Sequence, residues 1–214
     1  MGDSMSTIIN ATTTNGVVIQ PDNSGSLVLQ TNSGTTALTI STAQNATFAG
    51  TVTLPTGTIY PLVSGTSVAS TSGTSISYTG IPSWVKRITV MYTSLSTNGS
   101  STIQVQLGTS GGLTTSGYLG CSAFSGGSTG GANLTTGLPI ASTSAGDARH
   151  GHIIITNVTG NIWVSSHANG QSNNNYAQFG GGSITLSGTL TQLAINMANG
   201  TDTFDSGSIN ILYE

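Results

Sequence analysis

His150-Gly151-His152 places two imidazoles two residues apart, which on a β-strand turns both to one face. Imidazole is the commonest protein ligand for transition metals. Three copies of the pair around a threefold axis would offer six nitrogens to an octahedral ion. The plainer reading is a solvated pair beside Asp147 and Arg149. Two segments, 108–112 and 126–130, satisfy G-x-S-x-G. That motif works where a strand turns sharply into a helix and lifts the serine oxygen beside an oxyanion hole. No helical pattern follows either segment, and a chain with 30 glycines produces such matches by composition. Glycoside cleavage takes two carboxylates across one bond, and the acids are only Asp3, Asp22, Asp147, Asp202, Asp205 and Glu214. Asp202 follows Asn199-Gly200-Thr201, an ordinary turn sequence. These residues support binding rather than catalysis. The protein is expected not to be an enzyme and to carry no cofactor.

Binding chemistry gathers in two segments that read as long loops, 120–136 and 168–182, both rich in Gly, Ser and Asn. Phe124, Tyr176 and Phe179, with Tyr118 just before the first loop, are candidates to stack on sugar faces. Asn173, Asn174 and Asn175 would add hydrogen-bond donors and acceptors. Trp84 and Trp163 lie in apolar runs and are assigned to the core.

These residues must be positioned by strands. Ile88, Val90 and Tyr92 alternate with Thr89, Met91 and Thr93; Ile103, Val105 and Leu107 alternate with Gln104 and Gln106, which predicts one wet face. Asn98-Gly99 predicts a hairpin between these two runs, and Thr159-Gly160 predicts another joining Ile153–Ile155 to Ile162–Val164. Further strands are expected at 184–186, 193–197 and 209–213. No stretch has helical apolar spacing. Many short antiparallel strands with Gly-rich turns predict an all-β fold, an antiparallel β-sandwich of jelly-roll type, over residues 61–214.

Residues 1–60 have a different rhythm. Apolar pairs recur at Val17/Ile19, Leu27/Leu29, Leu38/Ile40 and Phe48/Val52, separated by turn-forming residues. A unit this small cannot bury its own apolar pair, whereas stacked units or identical units from neighbouring chains can. The segment is therefore expected to form a repetitive β-shaft. Pro55 and Pro61 mark its end.

Composition narrows the function further. Charged residues are 4% of the chain against roughly 25% in ordinary soluble domains. Apolar residues are 36% and net charge is −3, which argues for a folded protein rather than disorder. Lys86, Arg87 and Arg149 are the only basic residues, too few to neutralise a nucleic-acid backbone. No apolar run approaches a membrane span of roughly 18 residues. The start, Met-Gly-Asp-Ser-Met-Ser, has no signal-peptide pattern. Cys121 is the single cysteine, so no internal disulfide is expected.

Segments 16–22, 27–30, 37–40 and 46–52 resemble the repetitive N-terminal regions of bacteriophage tail-fibre and minor virion proteins, especially those of marine and cyanobacterial phages. Segments 80–90, 104–108 and 208–214 are similar to the globular ends of such proteins. The resemblance implies a homotrimeric virion fibre, assembled in the host cytoplasm. It would attach to other tail or capsid proteins through its N-terminal segment and display a knob for host-surface adsorption, with a glycan as the expected receptor. Iron at His-rich tips occurs in such fibres. The alternative is a head fibre or capsid decoration protein with a structural role.

Overall fold

A computed structural model describes residues 25–31, 34–54, 57–58, 60–141 and 144–214. The chain divides into two compact units, Met1–Ile59 and Tyr60–Glu214. Among the described residues there is no helix; every described ladder is antiparallel.

In the first unit the described strands are β1 (Leu27–Thr31), β2 (Thr35–Ile40), β3 (Ala46–Phe48), β4 (Thr53–Leu54) and β5 (Gly57–Thr58). The first three form a meander, and β4 pairs with β5. Register aligns Leu27 with Ile40 and Leu29 with Leu38, which in turn faces Phe48. Because side chains alternate along a strand, Leu27, Leu29, Leu38, Ile40 and Phe48 share one face of the meander. Leu29 is 41% exposed and Phe48 54% exposed. The Val17/Ile19 repeat lies outside the described residues.

The second unit contains β6 (Val63–Ser64), β7 (Val68–Ala69), β8 (Ser75–Thr79), β9 (Arg87–Thr97), β10 (Ile103–Thr109), β11 (Gly112–Leu113), β12 (Leu119–Ser125), β13 (Thr129–Leu134), β14 (Leu138–Ala141), β15 (Arg149–Thr159), β16 (Ile162–Gln171), β17 (Ala177–Thr185), β18 (Gln192–Met197) and β19 (Phe204–Tyr213). A nine-stranded sheet runs β13-β12-β17-β16-β15-β9-β19-β6, with β7 also on β19. A five-stranded sheet runs β11-β10-β18-β8, with β14 also on β10. Both contribute to one core: Ile88, Val90, Ile153, Ile155 and Trp163 from the larger sheet, and Ile103, Val105, Leu107, Leu193 and Ile195 from the smaller. Two antiparallel sheets on one core are consistent with a β-sandwich.

The alternation in β9 places Ile88, Val90 and Tyr92 inward as its pattern predicts. The hairpin at Thr159-Gly160 joins β15 to β16, with Thr159 opposite Ile162. Trp163 is in the core; Trp84 packs against it and stacks on Tyr60 at 4.9 Å between centroids.

Three expectations are corrected. Asn98-Gly99 does not make a hairpin, because β9 and β10 belong to different sheets. The connection is instead tied to the 199–203 turn: Asn98 Oδ1 accepts from Thr203 N–H, and Asp202 Oδ2 accepts from Ser101 N–H. Tertiary bonds thus override the local turn signal. Gln104 and Gln106 are not a wet face, since Gln104 is only 2% exposed. Gln104 donates to Asn196 Oδ1 and accepts from Thr136 Oγ1, while Gln106 donates to Thr136 O and accepts from Asn196 Nδ2. Amides that satisfy one another in this way can be buried cheaply. Finally, 120–136 and 168–182 are mostly strand. They supply β12, β13, the end of β16 and the start of β17, leaving only short turns.

Candidate functional site

The turns that remain of those two segments meet the 144–149 stretch at a cleft of about 220 Å3. Phe124, Ser128, Ser144, Asp147, Asn174, Tyr176 and the amides Gln171 and Gln178 line it. Phe124 comes from β12, on the same face as the buried Ser122; Tyr176 immediately precedes β17. Their rings meet edge to face, with centroids 5.6 Å apart and planes at 88°, a favoured aromatic geometry. Tyr176 Oη lies 3.2 Å from Ser128 Oγ.

The polar wall is built on Asp147. Its Oδ2 accepts from Ser144 N–H at 3.0 Å, Gln171 Nε2 at 3.3 Å and Arg149 Nη2 at 3.4 Å. Arg149 is fully buried behind it and also donates to the carbonyls of Asp147 and Leu95. Burial lowers the Arg149 guanidinium to about 10, while the Asp147, Tyr92 and Asp205 charges act to raise it. A guanidinium at that value is still charged at neutral pH. The cleft therefore has a carboxylate in its wall and a cation sealed behind that carboxylate.

Of the residues proposed from sequence, Phe124, Asn174 and Tyr176 line this cleft. Asn173 braces it, accepting from Ala148 N–H and donating to Gly146 O. Asn175 is exposed, with its N–H on Asn174 Oδ1. Phe179 is not part of the cleft. Its neighbour Gln178 points inward, so Phe179 projects from the outer face of the larger sheet, 53% exposed. Tyr118 is corrected outright, being completely buried. Its hydroxyl accepts from Leu107 N–H at 2.8 Å and lies 3.0 Å from Thr114 O, and burial pushes it up to about 12. Tyr118→Phe orphans the buried Leu107 N–H. It is expected to lower unfolding free energy by about 1–3 kcal/mol in a urea titration; an unchanged midpoint would refute this.

His150 and His152 share the outward face of β15. His152 is exposed. His150 uses both ring nitrogens: Nδ1 accepts from Ser94 N–H at 3.3 Å, and Nε2 lies 3.0 Å from Ser172 Oγ. Ser94 is the residue where β9 bulges against β15, with φ of 50°. The imidazole thus takes up an N–H that lost its ladder partner. A metal on His150 would have to displace one of these bonds. Among the described residues no three His, Cys, Asp or Glu side chains converge as a ligand set.

Sequence reasoning missed Asp147, Gln171 and Gln178 as lining residues. Period two would have found two of them. The inward series Trp163, Ser165, His167, Asn169, Gln171 continues one strand face into the supposed loop, and Ile155, Ile153, Gly151, Arg149 leads back towards Asp147. No protein-family model, curated protein or solved structure matches the chain.

Proposed function

We propose that this protein is a bacteriophage virion fibre protein, a homotrimer that displays its C-terminal unit as a jelly-roll-like knob for adsorption to the host surface. The observation that carries the adsorption role is the cleft. It joins an aromatic pair to Asp147, Gln171 and Asn174 within one small depression, a convergence of apolar and polar groups that suits a ligand site. A decoration protein with no receptor has no use for it. With one carboxylate lining it, the cleft lacks the pair that glycoside cleavage takes, so the reading assigns binding without catalysis.

The trimer is supported by apolar side chains that a single chain leaves uncovered. Leu29 and Phe48 line one face of the β1–β3 meander, and Leu119, Phe179 and Val164 are exposed on β12, β17 and β16. Copies related by a threefold axis would cover such faces, giving a shaft from the N-terminal unit. The N-terminal residues would then contact other virion proteins, and the particle would be assembled in the host cytoplasm.

Light scattering coupled to size exclusion tests the assembly: the expected mass is about 64 kDa (3 × 21.4), and a 21.4 kDa monomer would sink the shared shaft. Labelled protein incubated with marine and cyanobacterial isolates tests the role. Wild type is expected to adsorb to at least one isolate, and Tyr176→Ala to weaken that by about tenfold or more. Retention on empty capsids with no cell binding would replace adsorption with decoration.

A further inference from the structure

The only charged side chain that lines the cleft is the carboxylate of Asp147. No exposed cation stands near it. Lys86 and Arg87, the two solvent-exposed basic residues, lie at the other end of β15, where Arg87 faces Thr156. That is about 23 Å of strand away from Arg149, and Arg149 itself is wholly buried behind the carboxylate. Arg149 Nη2, Ser144 N–H and Gln171 Nε2 all address Asp147 Oδ2. No described donor reaches Oδ1, which, unlike Gln171 Oε1, keeps contact with solvent. Asp147 and Arg149 together thus form a dipole with its negative end at the cleft. A cation resting on Oδ1 lies nearer to the carboxylate than to the guanidinium, and the nearer charge dominates.

The other walls are aromatic. Phe124 and Tyr176 stand at 88° with centroids 5.6 Å apart, so the ring that offers its edge keeps both of its faces clear of the other. Tyr176 Oη, 3.2 Å from Ser128 Oγ, is held in place at its far end. Ring faces carry negative potential, and rings set at an angle beside an acid attract organic cations. A volume of about 220 Å3, lined by the rings and the carboxylate alike, brings both within reach of one small group. A bare ammonium or a metal ion is strongly hydrated, and one carboxylate oxygen is a poor exchange for that water. Among the described residues no three ligating side chains converge on a metal. An alkylated ammonium spreads its charge over methyl groups, has little hydration to lose, and packs those methyls on the rings. An anion would meet Asp147 with no exposed cation to offset it.

We infer that the cleft binds an alkylated ammonium group, such as the trimethylammonium head of choline, with its methyls against Phe124 and Tyr176 and its charge against Asp147 Oδ1. This rests on the cleft being a ligand site, as the adsorption reading has it. The test is calorimetric titration of the full chain with choline and with its neutral carbon isostere, in which a tert-butyl group replaces the trimethylammonium. Choline is expected to bind about tenfold more tightly than the isostere. Tyr176→Ala is expected to remove binding, and Tyr176→Phe, which keeps the ring, to retain most of it. Equal affinity for the isostere would overturn the inference, as would choline binding unchanged in Tyr176→Ala, or binding of glucose or galactose with choline silent. Sedimentation with phosphatidylcholine vesicles, against phosphatidylglycerol vesicles, separates the sources. Uptake by the former alone assigns the group to a lipid, and choline binding without uptake to a soluble or polymer-borne molecule; both uphold the ammonium. Cells that still adsorb while choline is silent overturn the inference and leave the adsorption role standing. Choline binding without adsorption to any cell does the reverse.

Discussion

Arg149→Ala is expected to cost about 3–5 kcal/mol of unfolding free energy, a large share of the about 5–15 kcal/mol that folded domains commonly have. The guanidinium is wholly buried at the start of β15, with Nη1 on the carbonyls of Leu95 and Asp147 and Nη2 on the Asp147 carboxylate. Truncation opens a cavity, orphans the Leu95 carbonyl and leaves Asp147 with only Ser144 N–H and the Gln171 amide. Asp147→Asn is expected to do comparable damage from the other side, since the Arg149 charge is then buried without its carboxylate. Arg149→Met with Asp147→Asn is expected to recover much of the loss, because removing both charges of a buried pair is often close to neutral. Urea titrations of Arg149→Met, Asp147→Asn and the double variant close a cycle that gives the coupling directly. If the double variant loses the sum of the two single losses, the residues do not act as a pair.

The same pair shows what could and could not be read in the sequence. Alternation located the core strands, because Ile88, Val90 and Tyr92 are apolar on a period of two and bury on that period, and Ile103, Val105 and Leu107 are apolar on the same period, although the glutamines between them are buried as well. Arg149 and Asp147 continue the period with polar residues, so the hydrophobic pattern ends before the strand does. Gly180-Gly181-Gly182 concealed β17 in a related way. Glycine weakens a strand in isolation and reads as a break, yet a Cβ on Gly181 would lie 2.6 Å from Ser165 O in the paired strand. These glycines are close-approach residues, which only the neighbouring strands reveal. Phe124, Asn174 and Tyr176 could be picked out by residue type alone, and they line the cleft. Their meeting with Asp147 depends on β12 pairing with β17 and β17 with β16, contacts that local sequence does not encode. Tyr118 misled for the opposite reason, since a tyrosine among Gly and Ser looks exposed until its hydroxyl is seen to hold Leu107.

Lowering the pH from about 6.5 to about 4 is expected to remove about 3 kcal/mol of stability through one side chain, His167. The imidazole crosses the space above Gly180 and reaches Ser122 two strands away, Nε2 to Oγ at 3.0 Å. A Cβ on Gly180 would fall 2.6 Å from His167 Cε1, so the bridge depends on that glycine. His167 Nδ1 is shielded and has no partner. A second ring proton would therefore put a buried positive charge where no acceptor waits, and burial lowers the group to about 4. Unfolded, the same imidazole binds a proton below about 6.5. Between these values the unfolded chain holds more protons, and stability falls as the pH falls, by about 1.4 kcal/mol per unit. Asp202 acts in a separate window. Bonds from Asn199 and from Ser101 N–H hold its carboxyl below the ordinary value, so its contribution is lost only in stronger acid. Urea midpoints at pH 7, 5.5 and 4 measure the slope, and His167→Gln, which keeps a donor for Ser122, is expected to flatten most of it. An unchanged slope in that variant would assign the acid sensitivity to other groups, and the Ser122 bridge would then be a packing contact without a protonation cost.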